Sequence, residues 1–180
     1  MTQQFNYKNF SLELLFTGSY GNDIYNYNRF VNTNPNNINL GRNMLLETFD
    51  YAKVELDGSG NPFISNPETE IPRITVTDIN GNGERISDKF VEDGSYIRLK
   101  NLQIGYQVPE NLLSNQNVIR SARISLGVQN LFTWTKYKGF DPEVGAYVGN
   151  NVSASDQLIG VDYGRYPLTR MYTVNVGIDF

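Results

Sequence analysis

Any chemistry in this chain has to come from carboxylates, amides, hydroxyls, cations and aromatic rings, because its 180 residues include neither histidine nor cysteine. Lacking histidine, it has no Ser-His-Asp or Cys-His catalysis and little to hold a transition metal. Lacking cysteine, it has no disulfide framework, zinc cluster or reactive thiol. Asp141-Pro142-Glu143 sets two carboxylates close together, but a proline between them favours a turn over a general acid and base. Asp78-Ile79-Asn80-Gly81-Asn82-Gly83-Glu84 spaces oxygen atoms like the start of a calcium loop, yet Lys89 stands where a bidentate glutamate would close the site. A Gly/Asn turn is the better reading there. Arg98, Lys100 and Arg123 offer cations that would meet acidic substrates on a lumen or rim, and solvated surface charges account for them equally well. No catalytic constellation, cofactor site or metal site emerges, so an enzyme is the least expected class. With 15 basic against 19 acidic residues there is no nucleic-acid footprint.

The elements that would position these groups read as strands. Twelve tyrosines and 10 phenylalanines against a single tryptophan, with 16 glycines, suit a pleated surface. Period-two alternation appears in four segments. Phe10, Leu12, Leu14, Phe16 and Tyr20 share one face of the first. The second runs from about Ser95 to Val108, with Leu102, Ile104, Tyr106 and Val108 on its apolar face. Ile97 and Leu99 fall on the wrong side of it, which a bulge near Leu99 would correct. Ala122, Ile124, Leu126, Val128, Phe132 and Trp134 align in the third, and Leu168, Tyr172, Val174, Val176, Ile178 and Phe180 in the fourth. The connections alternate long, short, long: a stretch rich in Asn, Gly and Pro up to about Gly94, the link Pro109 to Ile119, and about Lys136 to Pro167. That asymmetry, with strands reaching the roughly 9–11 residues of a tilted bilayer span, predicts an outer-membrane barrel with long loops outside and short turns inside. No apolar run approaches the roughly 20 residues of a transmembrane helix. Met1 leads into Thr2-Gln3-Gln4-Phe5 without the basic start and apolar core of an export signal, so the membrane reading expects a piece of a longer protein.

The segment Asp93-Gly94-Ser95-Tyr96-Ile97-Arg98-Leu99-Lys100-Asn101-Leu102 resembles a strand of the SusC/RagA type of TonB-dependent receptor. Gly127-Val128-Gln129-Asn130-Leu131-Phe132 and Tyr137-Lys138-Gly139-Phe140-Asp141-Pro142-Glu143 are similar to a downstream signature of that family. Gly160-Val161-Asp162-Tyr163-Gly164 with Tyr166-Pro167, and the early Phe16-Thr17-Gly18-Ser19-Tyr20-Gly21-Asn22-Asp23-Ile24-Tyr25-Asn26, match further family segments in the right order. The resemblance implies a plugged barrel of about 22 strands that imports nutrients with energy relayed by TonB. Residues 1–180 would be the C-terminal part of the barrel domain, with no plug domain present and the TonB contact lying in the missing N-terminal part. The implied partners are a SusD-like surface lipoprotein, TonB, the barrel-assembly machinery, outer-membrane lipid and a glycan or peptide substrate. No cofactor is implied.

Tyr172, Val174, Val176, Ile178 and the terminal Phe180 resemble the C-terminal signal by which such barrels are recognised for assembly. Its physical rationale is an edge strand that can add to a sheet, and a plain lipid-facing strand is the duller account. Trp134, Tyr137, Phe140, Tyr163 and Tyr166 flank the last two strands and read as girdle or loop-packing aromatics before a sugar-stacking platform. The expected fold is all-β: antiparallel transmembrane strands forming the C-terminal four-strand portion of an outer-membrane barrel, with one short periplasmic turn and two long extracellular loops. A soluble carbohydrate-binding β-sandwich and a nonfunctional truncated receptor are the alternatives.

Overall fold

The computed structural model describes residues 1–83, 85–114, 118–144 and 159–180. Along the chain run β1 (Thr2–Tyr7), β2 (Phe10–Ser19), β3 (Asp23–Asn26), α1 (Tyr27–Asn32), β4 (Val54–Leu56), β5 (Pro62–Ile64) and β6 (Val91–Asp93). After them come β7 (Tyr96–Gln107), α2 (Glu110–Leu113), β8 (Ser121–Thr135), β9 (Val161–Asp162) and β10 (Met171–Asp179). Two compact units result: Met1–Asn22, Asp93–Glu143 and Tyr166–Phe180 form the first, and Asp23–Glu92 with Val144–Arg165 the second.

The first unit is one five-stranded sheet in the order β1-β2-β7-β8-β10, antiparallel throughout. Alternate residues of a strand point to opposite faces, and the register makes all five strands agree. Tyr7, Phe10, Tyr106, Ile124 and Val176 form one cross-strand row; Phe5, Leu12, Ile104, Leu126 and Val174 form the next. Phe10 and Tyr106 bring their rings to 4.7 Å, a cross-strand aromatic pair of the kind that stabilises sheets. The opposite face carries rows such as Gln4, Glu13, Gln103, Gly127 and Thr173. The predicted bulge is present. The pairing of β7 shifts between Leu99 and Asn101 against β8, and between Leu15 and Phe16 of β2. The inserted residue is Lys100. It returns Leu99 to a row with Phe16 and Phe132, and Ile97 to a row with Gly18 and Trp134.

Two expectations need correcting. The sheet has five strands where four segments alternated clearly. The Gln3, Gln4 and Asn6 of β1 diluted its apolar signal, and the hairpin turns at Lys8, which takes a φ of 51° without any glycine. Asn9 then holds the turn by donating from Nδ2 to Gln107 O at 2.9 Å. Nor is all pairing antiparallel, since β3 pairs in parallel with β9.

The second unit contains that pair, with β6 on the other side of β3, and the β4–β5 hairpin. Its core is small, built around the buried Ile24, Ile71 and Phe90. Tyr25 and Phe30 pack their rings on Phe90 at 6.2 and 5.3 Å. Asn26 caps α1 by accepting from Arg29 N at 2.9 Å, satisfying one of the amide groups a helix start leaves open. Arg29 itself grips Glu47 through Nε and its terminal nitrogen at 2.8 and 2.9 Å and donates to Lys89 O at 3.1 Å. A two-pronged guanidinium–carboxylate contact of this kind fixes geometry as well as charge.

Among the sheet's glycines Gly18 comes closest to a neighbouring backbone, since a Cβ there would stand 2.6 Å from Tyr96 O, whereas Gly177 has open space. Gly18→Val is expected to cost about 1–3 kcal/mol through overpacking, with Gly177→Val nearly neutral. Urea unfolding of the detergent-solubilised protein measures both, and equal midpoints would refute the close approach.

Candidate functional site

In the sheet a dense polar cluster is built on Arg98, the third residue of β7. The bulge at Lys100 places Arg98 in a row with Thr17 and Thr133, opposite the apolar face. Arg98 is only 2% exposed. Its Nε donates to Thr133 Oγ1 at 2.9 Å. One terminal nitrogen donates to Glu143 Oε2 at 2.8 Å and the other to Asp141 Oδ1. Lys100 Nζ reaches the second oxygen of Glu143 at 3.5 Å. Two cations thus face two carboxylates, which a buried guanidinium requires.

The segment after β8 is shaped to supply those carboxylates. Tyr137 donates its backbone N–H to Thr135 Oγ1 at 3.1 Å and is 6% exposed. Its ring occupies the space beside Gly139, where any Cβ would lie 2.3 Å from a ring carbon. The chain bends at Pro142, and Glu143 N donates back to Asp141 Oδ1 at 2.9 Å. The other oxygen of Asp141 accepts from Leu168 N at 3.1 Å. Arg98 therefore ties both the outgoing and the returning ends of the β8–β10 connection to the sheet. Burial pushes the Asp141 carboxyl up, but the Glu143 and Leu168 amides and the Arg98 guanidinium outweigh it and hold the group below its usual range.

A second fastening closes the base of the β2–β7 connection. Gly94 N donates to Asn22 O at 2.8 Å, and Gly21 N donates to Ser95 Oγ at 3.0 Å. Thr135 Oγ1 donates to Ser95 O at 2.8 Å. The Asp93 side chain accepts from Ser95 N at 2.9 Å, and its hydrogen bonds with Ser95 lower its carboxyl below the ordinary range.

These contacts revise the reading of the three cations. Arg98 is a buried clamp and no solvated charge. Arg123 is exposed and lays its guanidinium over Gly105, 3.2 Å from where a Cβ would stand. Asp141-Pro142-Glu143 forms the bend, with its carboxylates committed to Arg98. The flanking aromatics separate. Tyr137 is interior packing, Trp134 ends β8 in the open, and Phe140 and Tyr166 are strongly exposed. Tyr163 belongs to the second unit, where it stacks on Tyr27 at 4.1 Å. Tyr172, Val174, Val176 and Ile178 are exposed along β10, as is Phe180 just beyond its end. In the calcium-like stretch, Asp78 accepts from Gly83 N at 2.7 Å and Gly81 takes a φ of 64°, a turn closed by its own aspartate. Glu84 lies outside the described residues, among which no group of three metal-binding side chains occurs.

A cavity of about 340 Å³ opens beside the clamp, with Arg98, Asn130, Thr133, Phe140, Asp141 and Arg170 among its lining residues. Asn130 and Arg170 carried no signal in the sequence beyond the positive charge of one and the family-like surroundings of the other.

One apolar face, one polar face and long connections are features that strands of outer-membrane β-barrels share. Over 97% of its length the chain is 36% identical to TonB-dependent receptor P3 of Formosa agariphila. It is 26% identical over its full length to TonB-dependent receptor SusC of Bacteroides thetaiotaomicron. The RagAB peptide importer in its open-open state matches 96% of the chain with a TM-score of 0.71 at 28% identity, and the closed-closed state matches 99% with 0.70. No family model matches. The chain is a relative of the TonB-dependent receptors of the SusC/RagA type. It spans 15% of the length of P3 and of SusC, and 16% of the RagAB chain.

Arg98→Leu is expected to cost about 2–3 kcal/mol, because it strips the largely buried Asp141 carboxylate of its guanidinium partner while Glu143 keeps Lys100. It should also speed proteolysis after Glu143; unchanged stability and cleavage would contradict the clamp. Because the folded Asp141 titrates below its unfolded value of about 3.9, its contribution is complete above that pH and is lost as pH falls through the folded value. Urea midpoints between about pH 7 and pH 2 should therefore drop in acid. Asp141→Asn should start lower and fall less.

Proposed function

We propose that the chain forms the C-terminal wall of an outer-membrane importer of the SusC/RagA type, with β2, β7, β8 and β10 crossing the lipid. What supports this most is the continuous apolar face, written in matched rows across five strands and left open to solvent, with Val174 67% exposed. A soluble sandwich would cover such a face with a second sheet. Lipid satisfies it equally well, while the opposite polar face lines a lumen.

The edges of the sheet, β1 and β10, join neighbouring strands of the complete barrel, because hydrocarbon tolerates no unpaired strand edge. The long connections that Arg98 and Ser95 fasten lie outside, where cargo and a SusD-like lipoprotein meet the receptor. TonB acts through a part of the receptor beyond this chain. The cargo is a glycan or a peptide; the similarity to a peptide importer supports the second. The exposed β10 and the Phe180 that follows it serve as the signal read by the assembly machinery, and Trp134 and Tyr166 sit at the membrane boundary.

Facing decides the test. Val174→Arg on the apolar face should destabilise the membrane-inserted receptor by about 2–4 kcal/mol near the midplane, and Thr173→Arg on the polar face should be tolerated. Urea unfolding in liposomes measures this, and equal sensitivity of the two faces would sink the membrane reading. Uptake of labelled peptides and oligosaccharides by cells carrying or lacking the complete gene tests the transport step. No difference for either cargo would remove it. Phe180→Ala is expected to lower the amount of receptor in the outer-membrane fraction, and an unchanged amount would leave β10 a plain wall strand.

A further inference from the structure

Four dipeptides in the chain join an aspartate or asparagine to a glycine: Asp57-Gly58, Asn80-Gly81, Asn82-Gly83 and Asp93-Gly94. Such a pair can react with itself, because glycine has no side chain to keep its nitrogen away from the preceding Cγ. The attack needs a backbone N–H that can give up its proton and a turn that can rearrange. Three of the four pairs are fastened against it. Asp57 Oδ1 accepts from Ser59 N and Asn61 N, each at 2.8 Å. Asp93 accepts from Ser95 N at 2.9 Å, and Gly94 N donates to Asn22 O at 2.8 Å. Gly83 is buried; its N donates to Asp78 Oδ2 at 2.7 Å, and its O accepts from Asn34 Nδ2 at 2.9 Å.

Asn80-Gly81 is held more lightly. Asn80 is exposed, and a Cβ built on Gly81 would meet nothing within 4 Å. Gly81 N donates to Asp78 O at 3.1 Å, the neutral bond of an exposed turn. The two asparagines therefore stand in the same dipeptide and lean on the same aspartate. The backbone oxygen of Asp78 restrains the first site and its carboxylate the second. A hydrogen bond to an ionised acceptor is about twice as strong as a neutral one, and it keeps the proton on the Gly83 nitrogen. Exposed turns also open locally at little cost, whereas a fastened and buried backbone opens rarely.

We propose that Asn80-Gly81 is a site of spontaneous modification in the β2–β7 connection, and that Asp78 holds the same dipeptide inert at Asn82-Gly83. Gly81 N loses its proton and attacks Asn80 Cγ. The N–Cγ bond forms, the Cγ–Nδ2 bond breaks, and the side-chain nitrogen leaves as ammonia. Water then opens the succinimide at either carbonyl and gives aspartate or isoaspartate. The step is a hydrolysis, with no change of oxidation state. Each product places a new carboxylate near Asp78, and isoaspartate also lengthens the backbone by a methylene. The modification goes beyond the uptake reading and stands whether or not the receptor transports.

The complete receptor, purified in detergent and held at mildly alkaline pH, would be sampled over time, digested and read by mass spectrometry. Enzymatic methylation of isoaspartate gives a second readout. In the folded receptor Asn80 should convert about tenfold faster than Asn82, the factor that separates a neutral from a charged hydrogen bond. In denaturing urea the two sites are the same dipeptide without its fastenings, and their rates should converge. Asp78→Ala removes the carboxylate but keeps the backbone oxygen, so it should raise the rate at Asn82 towards that at Asn80. The ratio in the unaltered receptor is informative even if that variant fails to fold. Equal rates in the folded receptor, a faster Asn82, or a folded Asp78→Ala receptor with Asn82 still slow would overturn the assignment.

Discussion

A strand alternates its side chains between two faces, so every strand in a sheet must agree with its neighbours about which face is apolar. In this chain the rest depends on that agreement. The row from Tyr7 through Phe10, Tyr106 and Ile124 to Val176 crosses five strands without one polar residue. A slip of one residue in any pairing would turn a whole strand over. The segment at the start of β7 was out of phase by one, and the bulge at Lys100 removes the conflict. Both consequences matter for function: Leu99 and Ile97 go to the apolar side, and Arg98 to the polar side.

Once Arg98 stands on the polar face, it needs counter-charges, since an isolated buried guanidinium is very costly. Asp141 and Glu143 provide them, and so the connection after β8 is drawn back onto the sheet at both ends. Closing a loop costs entropy that grows only slowly with its length. A long connection is therefore tolerated once its base is fastened, and the length between can vary with the task. Gly94, Ser95 and Asn22 do the same for the β2–β7 connection with neutral hydrogen bonds.

The cavity beside Arg98 follows from the same geometry. Bending at Pro142 to bring two carboxylates inward leaves a gap between the connection and the strands, with Asn130 and Arg170 among the residues that line it. Tyr137 supports the fastening by filling the space beside Gly139.

Alternation, the long-short-long connections and the bulge were legible in the sequence, because facing is a local property of a strand and a parity error of one residue shows in the residue types alone. The family-like segments pointed the same way. The hairpin strand β1 was hidden by its glutamines and by a turn whose left-handed position is taken by Lys8 in place of a glycine. The parallel β3–β9 pair joins segments far apart in the chain, and no local pattern announces such a partner. Arg98 and Asp141 show the division most clearly. Either could have been a solvated surface charge as far as the sequence went. Only the folded chain brings them together across 43 positions and closes water out, and burial of a charge is set by what surrounds it in space.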